Sequence, residues 1–463
     1  MKERYFRFVG LLSAIIIVMY FLNISFNYLV STHYKQLLLA AIIPSFLLFI
    51  SRFDFFEKIK YYYICIAAFL IYIIWSKWVN TIPISDFNTF YEQTKYFSKT
   101  GSLLKLQESK STGTILYYSL WFKILGSNYL SIYFGSAFAW ASSGAILYKA
   151  TQELNIPKKS STLFLLIFLF SPSTILYSSV MSSESIFTLI FSICLLFTIR
   201  FYNSHNISYL IILSLSCGAL FLTRTIGVVL IISIILLIPT LSLSKIELKH
   251  KIIKITSAAL IPFVVTLMLQ GLLNYKIENN FSVTPSKWGA FLLLTGTYEP
   301  SNGRYSKEQA ELVGFIGENK IPHDEASKLA VEIALERIIS SPIRFLEFSL
   351  TDKVEWLWSS KWAMIWSTNT TTNEENIKPF RILLHLVTNS YLIFAILTFT
   401  AWVLINIKNK WIFILMLPVT GLAILHIFVE VQGRYQIPMM PFIYLGAGIA
   451  INELGNKINN KIR

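Results

Sequence analysis

Charge is scarce in this chain of 463 residues: Asp, Glu, Lys and Arg together make up 14%, where a soluble domain carries about 25%. A chain this long could bury a large core, but with so little charge it cannot clothe a water-facing exterior. Cysteine is nearly absent. Cys65, Cys194 and Cys217 each fall in an apolar run and form no CxxC pair, so a disulfide framework is excluded while neither redox compartment is. The six histidines are scattered without HExxH or another metal-ligand spacing, and Walker A, GxGxxG and GxSxG are all missing. Nucleotide-driven transport and serine hydrolysis in their usual forms are thereby set aside. No internal repeat and no low-complexity tract is present.

Apolar residues fill the space that charge leaves, at 54% of the chain and a mean hydropathy of +0.58. They are gathered into runs at 8–30, 36–50, 61–79, 128–148, 160–178, 185–203, 207–222, 225–243, 253–274, 382–405, 411–428 and 436–452. Most approach the ~20 residues needed to cross ~30 Å of hydrocarbon. The fold class expected is therefore an all-α polytopic membrane protein with about 12 transmembrane helices. The first run follows Lys2, Arg4 and Arg7 and resembles a signal peptide, but no small-residue cleavage site follows, so it reads as a retained helix. By the positive-inside rule it puts the N-terminus in the cytoplasm, and alternate connections then hold the remaining clusters, such as Lys158 and Lys159 or Lys249, Lys251 and Lys254. The localisation expected is the cell membrane, with both termini inside.

The net charge of +15 does not point to nucleic acid. Its lysines are spread over loops, with no basic stripe and no stacking platform, and contact with anionic lipid headgroups accounts for them.

Two segments interrupt the membrane pattern, and both land on the outer side. In residues 80–112, Phe87, Phe90, Tyr91, Thr94 and Phe97 recur with helical period over Asp86–Lys99, the stripe of a helix lying on a membrane surface. The next stretch, 114–126, reads as an interfacial or buried half-helix. Residues 276–380 hold amphipathic stretches around Ser341-Pro342 and four tryptophans (Trp356, Trp358, Trp362, Trp366) suited to a headgroup-level belt. The chain thus divides into an N-terminal transmembrane module at 1–275 that includes the first loop, an outer loop region at 276–380 that caps the bundle, and C-terminal helices at 381–463.

Ionisable residues at membrane depth are costly and are functional candidates by default. On the outer face these are Asp86, Glu184 at the start of a helix, Arg224 in a tight connection, and Glu430, Arg434 and Tyr435 in HIFVEVQGRYQIPMMP. Carboxylates and two guanidiniums at one depth can hold a lipid phosphate and take a proton from a hydroxyl. Each also has a bland reading. Asp86 serves as a helix cap, Glu184 caps its helix with Ser182 and Ser183, Arg224 snorkels to headgroups, and Arg434 pairs with Glu430 one helical turn earlier.

The residues that carry these candidates resemble the GT-C glycosyltransferase superfamily, close to its bacterial protein mannosyltransferase and aminoarabinose transferase types. The likeness runs through SDFNTFYEQTKYFSKTG, SPSTILYSSVMSSESIF, LFLTRTIGVVLI and GRYQIPMMPFIYLGAGIAI. It implies that Asp86 is the catalytic carboxylate, Glu184 a second catalytic acid, and Arg224, Arg434, Tyr435 and Lys287 the binders of the donor phosphate. Tyr91 and Glu430 would contact the acceptor or support the site. The paired Asp-Glu of many members is Asp-Phe here, which leaves the metal unassigned and a divalent cation open. The resemblance further implies an inverting enzyme that takes a sugar from a polyprenyl-phosphate donor and passes it to a glycan, lipid or protein acceptor on the extracytoplasmic face. An O-antigen-type polymerase or ligase and a lipid-linked-sugar flippase are the alternatives. The flippase would be expected to show repeats or helices broken near the midplane.

Overall fold

The computed structural model describes residues 19–21, 23–24, 42–43, 45–49, 58–103, 111–237 and 248–462, apart from 280, 284–287, 319, 360 and 407–409. Most of the apolar runs at 8–30 and 36–50 and the end of that at 225–243 lie outside these residues. Elsewhere every apolar run of the sequence is helical. In chain order the bundle comprises α1 (Tyr61–Val79), α2 (Asp86–Thr100), α3 (Thr112–Leu125), α4 (Tyr129–Glu153), α5 (Lys158–Leu169), α6 (Pro172–Tyr177), α7 (Ser183–Ser204), α8 (Ile207–Thr223), α9 (Gly227–Leu237) and α10 (Leu248–Glu278). The loop region adds α11 (Gly289–Gly296), α12 (Lys307–Leu312), α13 (His323–Ser340), α14 (Pro342–Leu350), α15 (Asp352–Leu357), α16 (Lys361–Thr368) and α17 (Glu374–Ile377). The chain closes with α18 (Arg381–Asn406), α19 (Lys410–Phe428), a 3₁₀ turn at Gly433–Met439 and α20 (Met440–Ile462). Among the described residues the only β pairing is a single bridge between Thr81 and Thr371.

Six of the described segments are long and apolar enough to cross a membrane, and Ile207–Thr223 and Met416–Phe428 are shorter apolar helices. The run at 160–178 differs from a single span. It breaks at Ser171-Pro172 into α5 and α6, because the residue before a proline is driven out of the helical region while proline itself suits a helix start. Ser171 completes the break by capping α6, its hydroxyl accepting from the Thr174 amide.

Packing sorts the spans into inner and outer ones. In Gly433–Ile458 the most apolar window is 83% buried and in Ser183–Ser204 72%, whereas in Ser257–Lys276 it is 11% buried, so α10 turns most of its side chains to lipid. α7 packs on α4 and α8, and α20 on α5 and α18. The α5–α20 contact brings backbones together, since a Cβ on Gly448 would lie 2.7 Å from the Phe164 amide nitrogen. Such small-residue contacts replace the hydrophobic drive that lipid cannot supply. Asn452 ties the same pair of helices by donating to the Ser160 hydroxyl at 2.9 Å.

The loop region is more than a cover. Phe291, Leu294, Val313, Phe315, Ala326 and Ala330 form a small core of its own, and the region is then fastened to the chain just after α19. The Lys353 ammonium donates to Gly296 O at 2.8 Å and Ile427 O at 2.7 Å. The Glu430 amide donates to Leu292 O and the Val431 amide to Gly303 O. Of the tryptophans expected to form a belt, Trp358 turns inward. Trp358 is fully buried and donates to the Tyr20 hydroxyl, and Trp362 and Trp366 stack on each other at 5.9 Å with Trp366 set edge-on against Phe87. A buried indole offers a large apolar face, and in Trp358 a paired N–H as well, and these contacts dock the loop region inward.

Candidate functional site

Connectivity alone brings Glu184 and Arg224 together. α7 and α8 are neighbours joined through His205 and Asn206, so the first turn of α7 and the last residue of α8 share one end of the bundle. Glu184 lies in that first turn, where the helix dipole favours an acid. Arg224 follows α8 as its C-cap in extended backbone. The Arg224 guanidinium donates to Glu184 Oε1 at 2.5 Å. Asp86 opens α2, preceded by Ser85 at φ 53°, a left-handed conformation unfavourable for a non-glycine residue and often retained at functional sites. Arg434 sits in the 3₁₀ turn that leads into α20.

Arg434 joins the two acids. Its Nη2 donates to Asp86 Oδ2 at 2.9 Å and its Nε lies 3.8 Å from Glu184 Oε1. Around the guanidinium stand the rings of Phe87 at 5.1 Å, Tyr435 at 5.6 Å and Trp366 at 5.8 Å, and the Arg224 guanidinium also lies over the Tyr435 ring, at 5.0 Å. Gly433 makes the approach of this segment feasible, since a Cβ there would overlap the Ser359 carbonyl and the Trp362 ring. Two acids and two arginines thus form one chain, Arg224–Glu184–Arg434–Asp86, with no net charge.

This geometry replaces the bland readings one by one. Neither Ser85 nor Ser182, the N-cap residues of α2 and α7, makes a side-chain cap bond, and the carboxylates of Asp86 and Glu184 reach arginine. Arg224 does not snorkel, being held on Glu184. Glu430 is not the partner of Arg434, for it accepts from the Gln432 amide at 2.5 Å. The helical-turn spacing between 430 and 434 is void because residues 430–432 are not helical. Tyr91 lies on the side of α2 turned to Phe122 and Tyr129 and does not reach the ion-pair chain. Lys287 lies outside the described residues.

Exposure is graded along the chain. The side chain of Glu184 is 1% exposed, Arg434 9%, Arg224 16% and Asp86 28%. Glu184 is the floor and Asp86 the mouth. The arrangement offers a metal little, since both acids are engaged by arginine and no group of three or more His, Cys, Asp or Glu comes together among the described residues.

Residues 114–269 match the family described as dolichyl-phosphate-mannose-protein mannosyltransferase. That third of the chain is similar to the family, and it contains Glu184 and Arg224, while Asp86 and Arg434 lie on either side of it. Among solved structures the chain is similar to ArnT from Cupriavidus metallidurans bound to undecaprenyl phosphate, at 12% identity and a TM-score of 0.39, covering 86% of this chain and 78% of that one. It is also similar to the Archaeoglobus fulgidus oligosaccharyltransferase in its apo form, at 14% identity and a TM-score of 0.49. There the likeness covers 88% of this chain but 52% of the oligosaccharyltransferase, so the chain spans about half the length of that protein. No curated protein sequence matches the chain.

Sequence reasoning missed Tyr177, and gave Phe87 only a place in a surface stripe and Trp366 only one in a headgroup belt. In a chain with 36 Phe, 24 Tyr and 11 Trp, nothing set these three beside the ion pairs.

Proposed function

We propose that the ion-pair chain is the catalytic centre of an inverting glycosyl transfer on the outer face of the cell membrane. The observation that carries this reading is the graded exposure of four charged groups from separate parts of the chain, with Asp86 at the open end. The sugar phosphate would enter from the lipid. Arg224 and Arg434 each have N–H donors beyond those given to the carboxylates, and these bind the donor phosphate together with the Tyr435 hydroxyl and Lys287. Asp86 takes the proton of the acceptor hydroxyl as that oxygen forms its bond to the anomeric carbon. The bond between that carbon and the phosphate oxygen breaks on the opposite face, and its electron pair leaves with the polyprenyl phosphate. The arginines meet the charge that develops on the departing monoester. Glu184 holds both guanidiniums in place from below. Glu430 braces the segment carrying Arg434, and Tyr91 lines the approach on α2. The acceptor is a glycan, lipid or protein presented at the outer leaflet.

Asp86→Asn tests the assignment. Asn keeps the size and a hydrogen-bonding oxygen but cannot take a proton near neutral pH. Transfer should fall by on the order of 10² or more, with binding of the donor lipid within a few-fold of the parent. Transfer close to the parent's would refute the role of Asp86 as base.

A further inference from the structure

Buried polar atoms are almost always hydrogen-bonded, so one without a partner calls for a ligand or another account. The large buried tyrosines of this bundle show the norm. Tyr72 donates to Leu169 O and Tyr391 to Ile167 O, and Tyr118 reaches the Ser136 and Ser185 hydroxyls at 2.7 and 3.2 Å. Tyr177 differs. It is 1% exposed and its hydroxyl has no partner, although it stands within electrostatic reach of Glu184, Arg434, Arg224 and Tyr435.

Two further atoms at the same place share this condition. Ser182 occupies the N-cap position of Glu184's helix, is wholly buried, and makes no cap hydrogen bond with its hydroxyl. The Trp366 indole N–H is buried without a partner, in a ring 5.8 Å from the Arg434 guanidinium. The segments that carry these residues are locked together by the Ser179 and Ser367 hydroxyls at 2.9 Å and by Thr81, which donates to Ser367 O. All three groups are neutral and can donate, and an indole can do nothing else. A phosphate is matched by the two guanidiniums. Neutral donors beside it suit the hydroxyl and ring oxygens of a sugar.

We propose that Tyr177, Ser182 and Trp366 form the wall that reads the transferred sugar of the lipid-linked donor, with Tyr177 as its main specificity-determining residue. The proposal rests on the donor reading given above. A site built to hydrogen-bond a substrate hydroxyl rejects an analogue that lacks it, because the buried donor is then left unpaired.

The test uses the full chain in detergent with two kinds of probe, bare polyprenyl phosphate and a panel of polyprenyl-phosphate hexoses and pentoses. Tyr177→Phe and Trp366→Phe should each lower affinity for the glycosylated lipid that the parent uses best by on the order of 10-fold. Affinity for bare polyprenyl phosphate should stay within about 2-fold. Because Tyr177→Phe deletes a buried hydroxyl that has no protein partner, its Tm should hold or rise. A purely structural tyrosine would lose Tm and leave the ratio of the two affinities alone. Unchanged affinity for the glycosylated lipid, an equal loss for both probes, or a change confined to the acceptor's KM would each overturn the proposal. Failure of the parent to bind either probe would instead sink the donor reading beneath it.

Discussion

Arg344 grips Glu299 in the loop region through Nε at 3.0 Å and Nη2 at 2.7 Å, with the side chains 73% and 37% exposed. Arg224 grips Glu184 at 2.5 Å with the side chains 16% and 1% exposed. The chemical groups are the same and the surroundings are opposite. On the surface, water and salt screen the pair and its net contribution is small. Inside, each charge has lost its hydration, and that cost is offset only while every partner is in place. A bundle that needed only to fold would do as well with apolar side chains at Glu184 and Arg434. Retaining four charges there is intelligible if they act on something, and the polar atoms left unpaired beside them point the same way.

The largest effect of breaking the buried chain, after loss of the Asp86 carboxylate, is expected at Arg434. Lysine keeps the charge but cannot hold Asp86, approach Glu184 and offer further donors to a phosphate at once, since it presents one point charge in place of a planar fork. Arg434→Lys should weaken donor binding by on the order of 100-fold. Glu430→Gln, which leaves the Arg434 contacts alone, should change donor binding little. Donor affinity and Tm measured for both variants in detergent decide this. Equal loss of stability in both, with affinity kept, would reduce Arg434 to a strut between α2 and α20.

Much of this site could be read from the residues. Asp86, Glu184, Arg224 and Arg434 stand out because charge is rare in their surroundings, and helix alternation along the chain puts them at one end. What could not be read is who holds whom. The pairing of Arg434 with Glu430 follows from helical spacing, and the spacing fails because the chain is extended there before it winds into a 3₁₀ turn. Tyr177 and Trp366 are invisible for a different reason, as their importance lies in a missing hydrogen bond that no pattern records. The break at Pro172 went unread, because the apolar run continues across it and hydropathy masks the kink.

Lys353 lies between the two extremes. It is 1% exposed, it faces the carbonyls that end α11 and α19, and burial pushes its ammonium down to about 7. Since the folded value is below the unfolded one of 10.5, the unfolded chain binds more protons between pH 7 and 10.5, and stability rises with pH across that window. Below pH 7 both states are charged and the burial penalty is present in full. The expected slope is at most about 1.4 kcal/mol per pH unit. Unfolding of the parent in detergent should shift upward from pH 7 to 9, and Lys353→Met should flatten that dependence. A slope that persists in the variant would assign the effect to another group. A flat parent would mean that the carbonyls stabilise the ammonium against its burial.

The smallest effect is expected at the surface pair. Arg344 is raised in pKa, first by its hydrogen bonds to Glu299 and then by the charge of that carboxylate, and it is fully in water. Arg344→Gln removes both, yet leaves Glu299 solvated and the loop core of Phe291, Leu294 and Phe315 intact. Tm and transfer should therefore match the parent within error, and added salt should have no differential effect. The result is informative because Glu299 lies three residues beyond Gly296, whose carbonyl receives Lys353. A marked loss of transfer in Arg344→Gln would show that the surface pair sets the position of the Gly296–Gly303 turn. Through Lys353 and the Val431 amide, that turn bears on the segment carrying Arg434. The contrast between a screened pair and a buried chain would then fail, and the two would have to be treated as one mechanical unit.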